Sequence, residues 1–185
     1  SIITDSSRII AELERLLPEP ALFPRDSDAL KQARAIEDHF DEVIAPELRR
    51  LFWSTYIDDI SACAQMATDG FGSPTRWAWS AFFPLMRPLF KKNMKMSKAR
   101  LEFSAENLSG HFDYLEKKIG PSGFLVADQF SIADLTAAAV MTAIIRPREF
   151  PYPLPEPWPQ ALQKLKTSVS HRQGFKWVEH IYGDY

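Results

Sequence analysis

Apolar residues recur every three or four positions along most of this chain, and hardly anywhere every two. Leu101, Ala105, Leu108, Phe112, Leu115 and Ile119 step by four and three without a miss, predicting an amphipathic helix that Gly120-Pro121 ends. An earlier stripe of Ile9, Ile10, Leu13, Leu16 and Leu17 predicts a helix that opens at Asp5 or Ser6 and stops at Pro18 and Pro20. Residues 18–24 then read as an extended linker. A second helix is expected from Asp26 or Ser27, with Leu30, Ala33, Ile36, Phe40 and Val43 on one face. Pro46 should kink it before Leu48, Leu51, Phe52, Thr55, Ala62 and Met66 carry the pattern on. After Gly70 and Gly72, Ser73-Pro74 reads as a cap and first helical residue, and Pro84 and Pro88 predict a bend or break further along. The pattern as a whole predicts an all-α bundle.

The most telling stretch is residues 123–139, GFLVADQFSIADLTAAA. Ser131 is placed to cap a helix, and Asp134, three residues on, to reach back and close a capping box. Phe130 and Leu135 stand at the positions of a hydrophobic staple, and the Asp134 carboxylate faces the positive end of the helix dipole. The following helix is almost wholly apolar, so its first N–H groups need such partners if it is buried. Its longest uncharged run, residues 135–145, is far short of the roughly 20 residues that span a bilayer, so it reads as a core helix. Six prolines from Pro147 to Pro159 predict an extended crossing over the surface. Two further helices, about 159–168 and 172–181, close the pattern.

Composition narrows the partners. A chain of 185 residues holds one domain with a substantial core. A net charge of −2 gives no electrostatic case for nucleic acid. Lys91, Lys92, Lys95 and Lys98 read as a solvated helix end. The single cysteine, Cys63, lies in the apolar stretch SACAQMA and reads as a buried thiol in a reducing, cytoplasmic setting. Ser1 with Asp5 and Arg8 close behind does not look like a signal peptide.

Metal chemistry finds no support: His39, His111, His171 and His180 are scattered, with no ligand spacing among them. IEDHFDE and Asp58-Asp59 read as solvated helix faces, and no Gly-rich phosphate loop or nucleophile elbow occurs. The aromatics Trp53, Tyr56, Trp77, Trp79, Trp158 and Trp177 should mostly pack in the core, leaving a few to wall an apolar pocket.

The sequence Phe130-Ser131-Ile132-Ala133-Asp134 resembles the folding motif of the helical C-terminal domain of glutathione transferases. That family usually writes Gly where this chain has Ala127, which leads one to expect ordinary backbone angles there. The resemblance implies a glutathione-transferase C-terminal-like helical bundle over residues 26–185. Residues 1–17 would then be the last helix of a thioredoxin-like domain, joined through a linker at residues 18–25. It implies glutathione as co-substrate of the intact protein, with no bound cofactor, and conjugation to a hydrophobic electrophile. Asp5 and Ser6 would hold the γ-glutamyl end of glutathione, where a hydroxyl and free N–H groups at a helix start suit a carboxylate. An ordinary helix cap is the competing reading of the same pair. Trp53 and Tyr56, with Arg49 and Arg50 as charged neighbours, would wall the acceptor pocket. The family pairs as homodimers along its long helices, and the same fold also serves as a non-catalytic protein-assembly module. No residue here matches the family's thiol-activating group.

Overall fold

A computed structural model describes the backbone of residues 6–152 and 154–185, with side chains from Arg8 onward. The helices are α1 (Ser6–Leu16), α2 (Ser27–His39), α3 (Ala45–Tyr56), α4 (Ile60–Ala67) and α5 (Ser73–Asn93). They continue as α6 (Lys98–Lys118), α7 (Ile132–Ile145), α8 (Gln160–Val169) and α9 (Gln173–Asp184). No strand occurs among the described residues.

The apolar helix α7 is the hub, packed on α2, α3, α8 and α9. Ile132, Ala133, Ala137, Met141, Ile144 and Ile145 are all fully buried along it. Its start is built as a capping box between Ser131 and Asp134, and both side chains are withdrawn from solvent. The Asp134 carboxylate accepts from the N–H of Ser131 at 2.9 Å, the Ser131 hydroxyl at 2.7 Å and the N–H of Leu125 at 2.8 Å. The third bond ties the preceding loop to the helix, so one side chain fixes both. Phe130 stacks its ring on Tyr185, 4.7 Å between centres, and shares a small cavity of about 300 Å³ with Leu135.

The loop before α7 departs from expectation. Ala127 adopts φ 55°, in the left-handed region, so the position keeps the conformation a glycine would favour without having one. Left-handed backbone costs an L-residue about 1–2 kcal/mol, and part of that is recovered because alanine restricts the unfolded chain. Ala127→Gly should therefore raise stability by roughly 0.5–1 kcal/mol in a denaturant melt.

Pro46 acts as expected, but through a π turn. Residues Phe40–Ile44 are wound so that the N–H of Ala45 bonds the carbonyl of Phe40, five residues back. The shift lets the proline stand in the first turn of α3, where its missing N–H costs least. The expected continuation through Ala62 is broken instead. Asp59 caps a separate helix α4 by accepting from the N–H of Ala62 at 2.9 Å. Asp58 beside it binds Arg87 at 3.0 Å and Lys91 at 2.9 Å, so neither carboxylate is merely solvated.

Pro84 and Pro88 do not interrupt α5, which runs unbroken through both. They stand one turn apart on the exposed side, where the carbonyls they free can turn to water. Gly72, one residue earlier than expected, caps that helix. Helix α6 is joined to α9 by Arg172, whose guanidinium binds Glu116 at 3.1 and 2.7 Å, Ser109 at 3.0 Å, and Asp113. Hydrogen bonding from Arg172, helped by its charge and by the N–H of Gly174, holds the Glu116 carboxyl below its ordinary range.

Candidate functional site: an aromatic cavity beside α3, α4 and α5

A second, smaller core forms where α3, α4 and α5 meet, from Phe52, Tyr56, Ile57, Ala62, Cys63, Phe83 and Leu162. Outside it lies a cavity of about 1030 Å³. Phe52 and Trp53 reach it from α3, Met66 and Ala67 from α4, and Trp79, Phe83 and Phe90 from α5. The proline-rich crossing supplies the facing wall with Phe150, Tyr152 and Leu154. Its length and stiffness suit that role, since a chain dense in proline spans a surface without needing ladder hydrogen bonds.

The ring geometry is ordered. Trp53 meets Phe52 and Phe90 edge to face at 5.5 and 5.3 Å, while Trp79 stacks on Phe83 at 4.2 Å. Such contacts hold rigid apolar walls. Polar groups are few: Gln65, Asp69, Asn93 and Arg146. A large apolar space with a small number of polar groups is the usual form of a small-molecule site.

Arg146 is the most unusual of them. It is the C-cap of α7, with φ 49°, and its guanidinium lies 4.8 Å from the centre of the Phe52 ring and 4.6 Å from that of Phe150. Burial lowers its pKa, against the pull of Tyr56 and Tyr182 nearby. Its Nε, the Tyr56 hydroxyl and the Trp158 Nε1 are buried polar atoms with no hydrogen-bond partner among the described residues.

The sequence-derived candidates separate on this geometry. Trp53 lines the cavity. Tyr56 lies behind it, 1% exposed, with its phenol pushed up to about 12 by burial. Arg50 is turned away and buried, donating to the Met94 carbonyl at 3.1 Å and the Ser104 hydroxyl at 2.7 Å. It fastens α3 to α6 and the turn before it, and has no place in the cavity. Arg49 is exposed and does not line the cavity either. Asp5 lies outside the described residues; Ser6 is the first residue of α1, and its side chain lies outside them too.

The sequence reading missed Arg146, Phe150, Tyr152 and Leu154. The proline run marked their segment as a crossing, but only the fold sets it against α3 and α5.

Other chemistry is weak. Cys63 is fully buried, donates to the Tyr56 carbonyl at 3.2 Å, and has its thiol pushed up to about 11 by burial, so it is not primed as a nucleophile. Among the described residues no group of three His, Cys, Asp or Glu could hold a metal ion. No helix among them is long and apolar enough to cross a membrane.

A helical bundle around a capped, buried α7 agrees with the family comparison. Residues 81–177, a little over half of the chain, match the model for the glutathione S-transferase C-terminal domain, and the chain belongs to that family. No curated protein and no solved structure matches it.

Proposed function

We propose that this domain is the apolar, acceptor-binding half of a glutathione-conjugating protein. The aromatic cavity carries this reading: it offers an electrophile an apolar surface with few polar demands. A thioredoxin-like domain outside these residues would bind glutathione and activate its thiol, and this chain alone would be inactive. α1 would be that domain's last helix, with residues 18–25 as the linker. Its exposed Leu13, Leu16 and Leu17 support the idea, since they form an apolar stripe that a neighbouring domain could cover. Asp5 and Ser6 at its start would meet the γ-glutamyl group. One cysteine, buried and without a disulfide, suits a cytoplasmic protein.

Titration with N-phenyl-1-naphthylamine, an uncharged apolar fluorophore, tests the cavity: one saturable site per chain is expected, and no saturable binding would contradict the reading. Calorimetry with glutathione tests the division of labour. Heat is expected only from a form extended upstream, and tight binding by these residues alone would overturn it.

The exposed face of α5 favours a further role in assembly. Trp77 and Leu85 are 75% and 74% exposed, and Phe82 on the same helix is exposed as well. We read this face as the homodimer seam; a non-catalytic assembly module would use it in the same way for another protein. Sedimentation should show self-association that Leu85→Glu relieves, whereas a monodisperse monomer at high concentration would count against the seam.

A further inference from the structure

The cavity is apolar, yet a cation stands in its wall without a counter-ion. No carboxylate lies within ion-pair distance of Arg146 among the described residues. Asp69, the carboxylate on the cavity lining, is exposed at the end of α4 and is not paired with it. Lys166 adds a second positive charge close by. Its ammonium donates to the Arg146 carbonyl at 3.2 Å and lies 5.1 Å from the Trp158 ring centre, also without an ion pair among the described residues. Burial lowers the pKa of both groups, although Glu179 pulls that of Lys166 the other way.

The C-terminus of α7 and the faces of Phe52 and Phe150 offset part of this cost. They give the guanidinium no acceptor, and buried N–H groups are almost always hydrogen-bonded. The centre of the guanidinium lies 4.8 Å from the Phe52 ring centre and 4.6 Å from that of Phe150, and its buried Nε has no acceptor among the described residues. Carboxylate and sulfonate oxygens are the acceptors that such a group binds most strongly.

We propose that the cavity takes an amphipathic anion, with a carboxylate or sulfonate headgroup on Arg146 and an apolar body against Trp53, Phe83 and Phe90. This rests on the acceptor-pocket reading and narrows it to ligands that carry one negative charge at the end of an apolar body.

The experiment displaces N-phenyl-1-naphthylamine with decanoate, decanol and decylammonium, which share one chain and differ in headgroup. On the wild-type chain decanoate should act at about tenfold lower concentration than decanol, as one charge-assisted contact predicts, with decylammonium weakest. In Arg146→Gln the advantage of decanoate should fall below twofold while decanol is unchanged. Equal displacement by decanoate and decanol on the wild-type chain would overturn the anion and leave the apolar cavity standing. Failure of N-phenyl-1-naphthylamine to bind would instead overturn the pocket reading beneath it. Should Arg146→Gln not fold, the headgroup order on the wild-type chain decides the matter alone, because a cavity indifferent to charge gives no such order.

Discussion

Asp134→Ala is expected to destabilise this domain by roughly 2–5 kcal/mol, because it strands two buried backbone N–H groups at about 1–3 kcal/mol each. The N–H of Ser131 and that of Leu125 have the same carboxylate as partner, and neither can turn to water. Ser131→Ala removes only the hydroxyl and should cost about 1 kcal/mol, the usual value of a cap side chain. Asp134→Asn keeps one acceptor oxygen and should fall between them. In a chain of this size each kcal/mol moves the melting temperature by about 2–4 °C, so Asp134→Ala should lower it by roughly 5–15 °C. A smaller loss for Asp134→Ala than for Ser131→Ala would mean that the carboxylate does not join loop to helix.

The same group has a pH signature. Burial raises the Asp134 carboxyl above its ordinary value, although Leu125 and Ser131 pull it down by hydrogen bonding. The folded chain therefore keeps this proton to a higher pH than the unfolded chain does. Its contribution to stability is complete below the ordinary aspartate pKa and is lost as pH rises through the raised one. Asp134→Asn should remove that component from the pH dependence of the melt.

Trp53→Ala should weaken N-phenyl-1-naphthylamine about thirtyfold. A ring contact of roughly 80 Å² at 25 cal/mol per Å² is about 2 kcal/mol of apolar contact. Trp53 is half-buried and joined edge to face to Phe52 and Phe90, so its loss opens the wall without emptying the main core. Trp77→Ala is the matched control. Trp77 is on the exposed side of α5 and outside the cavity lining, and its loss should change binding less than twofold. Equal losses from the two variants would show that the probe binds apolar surface in general.

Local signals carried well from sequence to structure. Ser131 and Asp134 sit three residues apart, and the stripe on α6 repeats within a single helix, so each could be read without knowing the fold. Asp59 carried a similar cap signal ahead of ISACAQMA, yet the continuing apolar pattern hid it. Proline was harder to read. Pro46 needed a π turn, and Pro84 and Pro88 were tolerated because they face outward, a fact of tertiary placement. The left-handed Ala127 was hidden too, because alanine gives no hint of positive φ. The cavity was the least legible feature. Trp53 and Arg146 are 93 positions apart in sequence, and only the packing of α7 against α3 brings their segments together. Arg49 and Arg50 stand within one helical turn of Trp53, yet neither lines the cavity: Arg50 is held by the Met94 carbonyl and the Ser104 hydroxyl, and Arg49 is exposed.

The central claim is that the space between α3, α4, α5 and the proline-rich crossing is where this domain holds its ligand. A crystal structure with N-phenyl-1-naphthylamine bound tests it most directly. The account predicts ligand density against Trp53, Phe83 and Phe150; density on the outer face of α5 at Trp77 and Leu85, with the cavity vacant, would contradict it.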